Sequence, residues 1–170
     1  MPITRLNHAV LYVRDVGRSS EFYTGVLGFS RVDMTPENFG GAVFLRAPGS
    51  ENDHDLGLFE IGDAAADSPA GRSAVGLYHL AWEIDTLDEL ERLRRMLSEH
   101  GFLAGASDHG TTKSLYGRDP DGLEFEIAWL VPTHALDDAA FAARKQVRPL
   151  DLEREKQRYG AATPGGTGRG

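Results

Sequence analysis

Apolar and polar residues follow a pattern along this chain that runs through twice. LNHAVLYVRDV opens with an apolar strand carrying His8 in its middle, and Asp15 follows as a helix-capping residue. GRSSEFYTGVLGF then sets Phe22, Tyr23, Val26 and Leu27 on one helical stripe, closed by Gly28. Three shorter strands are predicted at about 29–35, 42–47 and 54–61, parted by clusters of Gly, Pro, Asn and Asp. The pattern restarts at GLYHLAWEIDT, where His79 sits in a strand as His8 does. A helix at about 86–100 carries a stripe of Leu87, Leu90, Leu93, Arg94 and Leu97 and stops at Gly101. Strands near 102–106, 112–118 and 123–131 complete the second copy. The order is βαβββ, twice.

This repeat predicts an α+β fold with one domain over 1–131, made of modules at about 3–61 and 75–131. A linker at 62–74, rich in Ala, Asp, Gly and Ser, would join them. Two βαβββ modules can merge their sheets into a half-barrel, with each first strand facing one concave cup. Past 131 the character changes. Short helices are expected at about 137–145 and 150–158, divided by Pro149, and AATPGGTGRG reads as a flexible tail. The 132–170 helices would pack on the domain edge or on a partner subunit.

Composition narrows the function classes. Among 170 residues there is no cysteine, so a metal here must rely on His, Asp and Glu. No run of 18 apolar residues predicts a membrane-spanning helix, and MPITRLNHAVLYV does not read as a signal peptide. A cytoplasmic protein is expected. A net charge of −8, from 26 acidic and 18 basic residues, argues against nucleic-acid or anionic-membrane partners. Arg92, Arg94 and Arg95 lie beside Glu89, Glu91 and Glu99 in helical spacing, which predicts a solvated, salt-bridged face.

Alternate residues of a strand share a face. If His79 faces the cup, so do Leu77, Ala81 and Glu83, while Tyr78, Leu80, Trp82 and Ile84 pack against the helices. The same parity turns Leu6, His8, Val10 and Tyr12 inward. In LEFEIAW, burial of Phe125, Ile127 and Trp129 would turn Glu124 and Glu126 to the cup. One histidine in an apolar strand is commonly a hydrogen-bonded core residue. Two at equivalent repeat positions, with a strand glutamate, point to a metal set of two imidazoles and one carboxylate: His8, His79 and Glu126. Such a set leaves adjacent positions open and suits iron(II) in oxygen chemistry.

The paired βαβββ pattern, with DPDGLEFEI closing the second unit, resembles the vicinal-oxygen-chelate superfamily over roughly residues 3–131. That group includes glyoxalase I, the bleomycin and fosfomycin resistance proteins, and the extradiol ring-cleavage dioxygenases. His8, His79 and Glu126 stand where its metal ligands stand. HGTTKSLYGRDPDGLEFE is similar to the signature of the single-domain extradiol (catechol 2,3-) dioxygenases, supplying His109, Leu115, Tyr116, Asp119, Pro120, Gly122 and Glu126. Ser107 departs from it, standing where the family prefers Gly, Asn, Thr or a branched aliphatic. DHDLGL is similar to the family's His-Asp strand, which implies that His54 is the acid–base group.

The resemblance implies iron(II), or manganese(II), with a catechol-type diol and dioxygen as partners. His109 and Tyr116 would hydrogen-bond the substrate, and a homodimer is expected by analogy. Two other readings stay open: a glyoxalase-like lyase or epimerase with another divalent metal, and a non-catalytic drug-binding resistance protein. The lyase type takes a fourth ligand from the first unit's last strand, where Glu60 shares the face of His54 only if the alternation stays regular. His100 at a helix end and His134 outside the repeat receive no role, although His100 suits a helix C-terminus.

Overall fold

The computed structural model describes residues 2–34, 40–69 and 73–166. Residue 35 of the predicted second strand, residues 70–72 of the linker and residues 167–170 of the tail lie outside these. The chain divides into two compact units, Met1–Ser68 and Pro69–Gly170.

In the first unit, β1 (Ala9–Val13), α1 (Val16–Gly25), β2 (Ser30–Val32), β3 (Ala42–Arg46) and β4 (Leu56–Glu60) follow in order. The sheet runs β1-β4-β3-β2, with β1 parallel to β4 and the other pairs antiparallel. A parallel pair needs a crossover, and α1 supplies part of it. Leu11 and Val13 of β1, Leu45 of β3, and Leu56 and Leu58 of β4 are buried together with Phe22 and Tyr23 of α1. Each such side chain contributes about 1.5–3 kcal/mol on burial. Asp15 caps α1 by accepting from Arg18 N at 2.8 Å, and the Glu60 carboxylate accepts from Val16 N at 3.0 Å. Gly28, at φ 79°, turns the chain out of the helix.

The second unit repeats the plan with β5 (His79–Glu83), α2 (Leu87–Glu99), β6 (Leu103–Asp108), β7 (Thr112–Arg118) and β8 (Glu124–Leu130), in sheet order β5-β8-β7-β6. Thr86 caps α2 by accepting from Glu89 N, and Leu87, Leu90, Leu93 and Leu97 are buried. Arg94 is not part of that buried stripe; it is exposed, because four leucines already fill the contact with the sheet. Arg92 pairs with Glu89 at 2.7 Å and Arg95 with Glu91 at 3.1 Å on the wet face. Tyr78 also departs from its expected packing. The ladder with β8 begins only at His79, so Tyr78 precedes the sheet and stays 66% exposed.

Two further helices, α3 (Asp138–Ala143) and α4 (Leu152–Tyr159), belong to this second unit, after one turn of 3-10 helix at Thr133–Ala135. Helix α4 packs on α2, where Lys156 pairs with Asp88 at 2.7 Å and Glu91 at 2.8 Å. Residues 161–166, which composition alone reads as tail, are bonded to the sheet side. Trp129 Nε1 donates to Thr163 O at 3.2 Å, and Gly166 N donates to Leu130 O at 3.0 Å.

A chain of charges lies buried between β7 and α4. The Lys113 ammonium meets Asp108 and, at 2.9 Å, Glu155; all three side chains are about 1% exposed. Arg148 and Arg154 reach Asp108 from the rim at 3.0 and 3.4 Å. Burial alone would push the Asp108 carboxyl up. The Lys113 ammonium and the Gly110 N–H outweigh it and hold the group below the ordinary aspartate range.

Two predictions follow from this packing. A Cβ on Gly117 would stand 2.3 Å from the Phe125 ring, so Gly117→Ala should cost about 1–3 kcal/mol. A lower urea midpoint with an unchanged slope checks this. The stabilisation from the depressed Asp108 carboxyl is fully present above about pH 4 and is lost as pH falls through its lower folded value. Asp108→Asn should flatten that acid limb and cost about 3 kcal/mol or more at neutral pH, read from urea titrations across the pH range.

Candidate functional site

The parity of the second sheet decides which polar groups meet. Tyr116 of β7 is the register partner of Glu126 of β8, and His79 of β5 pairs with Glu124 two positions away. Phe125, Ile127 and Trp129 are buried on the opposite, helix-packed face, which turns both glutamates to the other side. There His79 Nε2 lies 3.1 Å from Glu126 Oε2. Tyr116 Oη donates toward Glu126 Oε1 at 3.5 Å.

The run continues past Tyr116. His109, in the turn between β6 and β7, has Nε2 2.9 Å from Tyr116 Oη and 2.8 Å from Ser107 Oγ. Ser107 in turn donates to Tyr116 Oη at 3.2 Å. One consistent direction of donation is His109 N–H to Ser107, Ser107 O–H to Tyr116, and Tyr116 O–H to Glu126. Five side chains from four strands and a turn thus form one connected polar run. The sequence singled out four of them for chemistry and treated Ser107 only as a departure from a motif. Its one local signal was a small hydroxyl two residues before His109.

In the first unit, Val10, Phe44, Gly57 and Phe59 share a face: a Cβ on Gly57 would lie 3.3–3.5 Å from Phe59, Val10 and Phe44. His8 and His54 have ring centroids 4.5 Å apart, and the Phe44 ring meets His54 edge-on at 5.1 Å. His54 precedes β4 rather than lying in it. His8 Nδ1 lies 2.7 Å from Asn7 Oδ1. The Nδ1 atoms of His54 and His79 are buried with no hydrogen-bond partner among the described residues. Glu60, weighed as a fourth ligand, points elsewhere. Regular alternation puts it with Leu56 and Leu58, where it accepts from the first N–H of α1. His100 caps α2, its Nδ1 2.8 Å from Met96 O, and His134 is exposed in the 3-10 turn.

The proposed metal donors are divided between the units, His8 in the first and His79 with Glu126 in the second. Among the described residues, no group of three or more His, Asp or Glu side chains is gathered for a metal ion. The His79–Glu126 pair nevertheless has the right chemistry. Two donors each about 2.1 Å from one ion, at right angles, are about 3 Å apart, close to the 3.1 Å observed.

The sequence model of the Glyoxalase/Bleomycin resistance protein/Dioxygenase superfamily matches residues 5–127. The chain is 34% identical over 124 residues to a catechol-2,3-dioxygenase of Bacillus subtilis, covering 73% of this chain and 41% of that protein. It is 34% identical over 125 residues to biphenyl-2,3-diol 1,2-dioxygenase 3 of Rhodococcus globerulus, covering 72% and 62%. The chain thus spans less than two thirds of either relative's length. A solved glyoxylase/bleomycin resistance protein/dioxygenase domain from Frankia sp. EAN1pec matches with a TM-score of 0.62 at 21% identity, over 75% of this chain and 92% of that one, a likeness of fold. With its two βαβββ sheets and a family match across most of its length, the chain belongs to the glyoxalase/bleomycin resistance protein/dioxygenase superfamily.

Proposed function

We propose that this protein is an extradiol ring-cleaving dioxygenase acting on a catechol-type aromatic diol with iron(II) and dioxygen. The observation that carries the reading is the polar run from His109 through Ser107 and Tyr116 to Glu126 and His79. Relatives named as a catechol-2,3-dioxygenase and a biphenyl-2,3-diol 1,2-dioxygenase support it. Glu60, weighed as a fourth ligand, instead accepts from Val16 N at the start of α1, which supports the dioxygenase reading over the lyase one.

In this proposal His8, His79 and Glu126 hold the metal, with manganese(II) as an acceptable substitute. Bound there, it would supply Lewis acidity toward both diol oxygens and a meeting point for dioxygen. The chain's own groups manage protons and orientation. His54 takes and returns a proton, and the edge of the Phe44 ring packs against its imidazole. Tyr116 and His109 hydrogen-bond the diol oxygens, and Ser107, bonded to both, holds the two together. Both atoms of dioxygen enter the ring-opened semialdehyde product, so no external reductant is required.

The test is oxygen uptake by chain reconstituted anaerobically with iron(II), then given a panel of catechols in air-saturated buffer. One dioxygen per catechol with a yellow product is expected; no uptake with the metal verified as bound would overturn the reading. His54→Ala should keep its iron and lose about 10²–10⁴ in turnover. Loss of iron from that variant would make His54 a ligand instead.

A further inference from the structure

The turn that carries His109 is gripped by residues that lie beyond the family match. Asp108, immediately before His109, bridges Arg148 in both directions: Asp108 N donates to Arg148 O at 2.8 Å, and Arg148 N donates to Asp108 O at 3.0 Å. Its carboxylate accepts from Arg148 Nη2 at 3.0 Å and from Gly110 N at 2.8 Å, besides Lys113. Lys113 also donates to Gly110 O at 3.1 Å and pairs with Glu155 of α4. Gly110, immediately after His109, has φ 78°, and a Cβ there would stand 2.4 Å from Ala140 O and 2.8 Å from the Ala143 methyl of α3. Both neighbours of His109 are therefore held by residues 140–155, and the superfamily match ends at 127.

A buried ion chain stabilises a fold poorly, since well-packed apolar residues of the same volume often do as well or better. Its hydrogen bonds are directional, however, and tolerate little displacement. Five charged groups focused on one backbone turn suit the fixing of a position more than the gain of stability. We propose that Arg148 and Glu155 of the C-terminal segment are positioning residues for His109, acting through Asp108 and Lys113. The inference deepens the dioxygenase reading and rests on it only in taking His109 to meet the substrate.

The test uses the full chain with three variants: Glu155→Gln, Arg148→Ala, and His109→Gln to assign the His109 signals. The imidazole nitrogen resonances of His109 are recorded by NMR on metal-free protein, and kcat and KM for a catechol on iron-loaded protein. Positioning predicts shifted His109 resonances in both clamp variants, with kcat down roughly tenfold or more and KM little changed. Arg148 is 41% exposed at its side chain, so its truncation leaves a folded chain to measure even if Glu155→Gln does not fold. His109 resonances superimposable on wild type, with only a lower melting temperature, would overturn the proposal and leave the segment a stabilising cover. If wild-type protein consumes no dioxygen with any diol, the resonance comparison still decides the positioning role, and the ring-cleavage reading alone falls.

Discussion

The register between β7 and β8 is the constraint on which the second unit's site depends. Tyr116 stands opposite Glu126, and Leu115 opposite Ile127. A slip of one residue would move Tyr116 into the helix-packed core and Leu115 out of it, so the buried face enforces the alignment of the polar one. Phe125, Ile127 and Trp129 lock that face from β8, and Leu115 does so from β7. Gly117 leaves room for the Phe125 ring to lie across the neighbouring strand. The polar run thus depends on side chains pointing away from it.

Much of this was legible in the sequence because strands impose a period of two. The faces of Glu126, Phe125, Ile127 and Trp129 follow from parity once burial of the aromatic residues is assumed. The stop of α2 follows from Gly101, at positive φ just past its cap, whereas α1 ends earlier than its stripe suggests, at Gly25, and Gly28 turns the chain beyond it. Parity fails where a ladder has not begun, as at Tyr78, which lies one residue before β5. It also fails to give contacts: Ser107 reads as a deviation from a pattern until β6 and β7 pair and bring its hydroxyl to His109 and Tyr116. Arg94 falls in the helical stripe by spacing alone, but Leu87, Leu90, Leu93 and Leu97 already complete the buried face.

The buried charges were the least legible feature. A lysine in TKSLYGR reads as a solvent-facing residue, since an unpaired buried ammonium is prohibitively costly. Its burial becomes tolerable only when Asp108 and Glu155, far apart in sequence, arrive together. No local pattern announces such a meeting. The same feature explains why the C-terminal helices belong to the second unit: α4 carries a carboxylate that Lys113 requires.

Both tryptophans of the chain, Trp82 and Trp129, lie on strands of the second unit. Trp129 is fully buried, and its indole N–H is held by Thr163. All indole emission therefore originates in one of the two units, and the first is dark at those wavelengths. A tryptophan signal followed through unfolding speaks for half of the molecule. Only its agreement with a residue-resolved probe of the first unit, such as the NMR resonances of Tyr12 and Tyr23, establishes that the two halves melt as one.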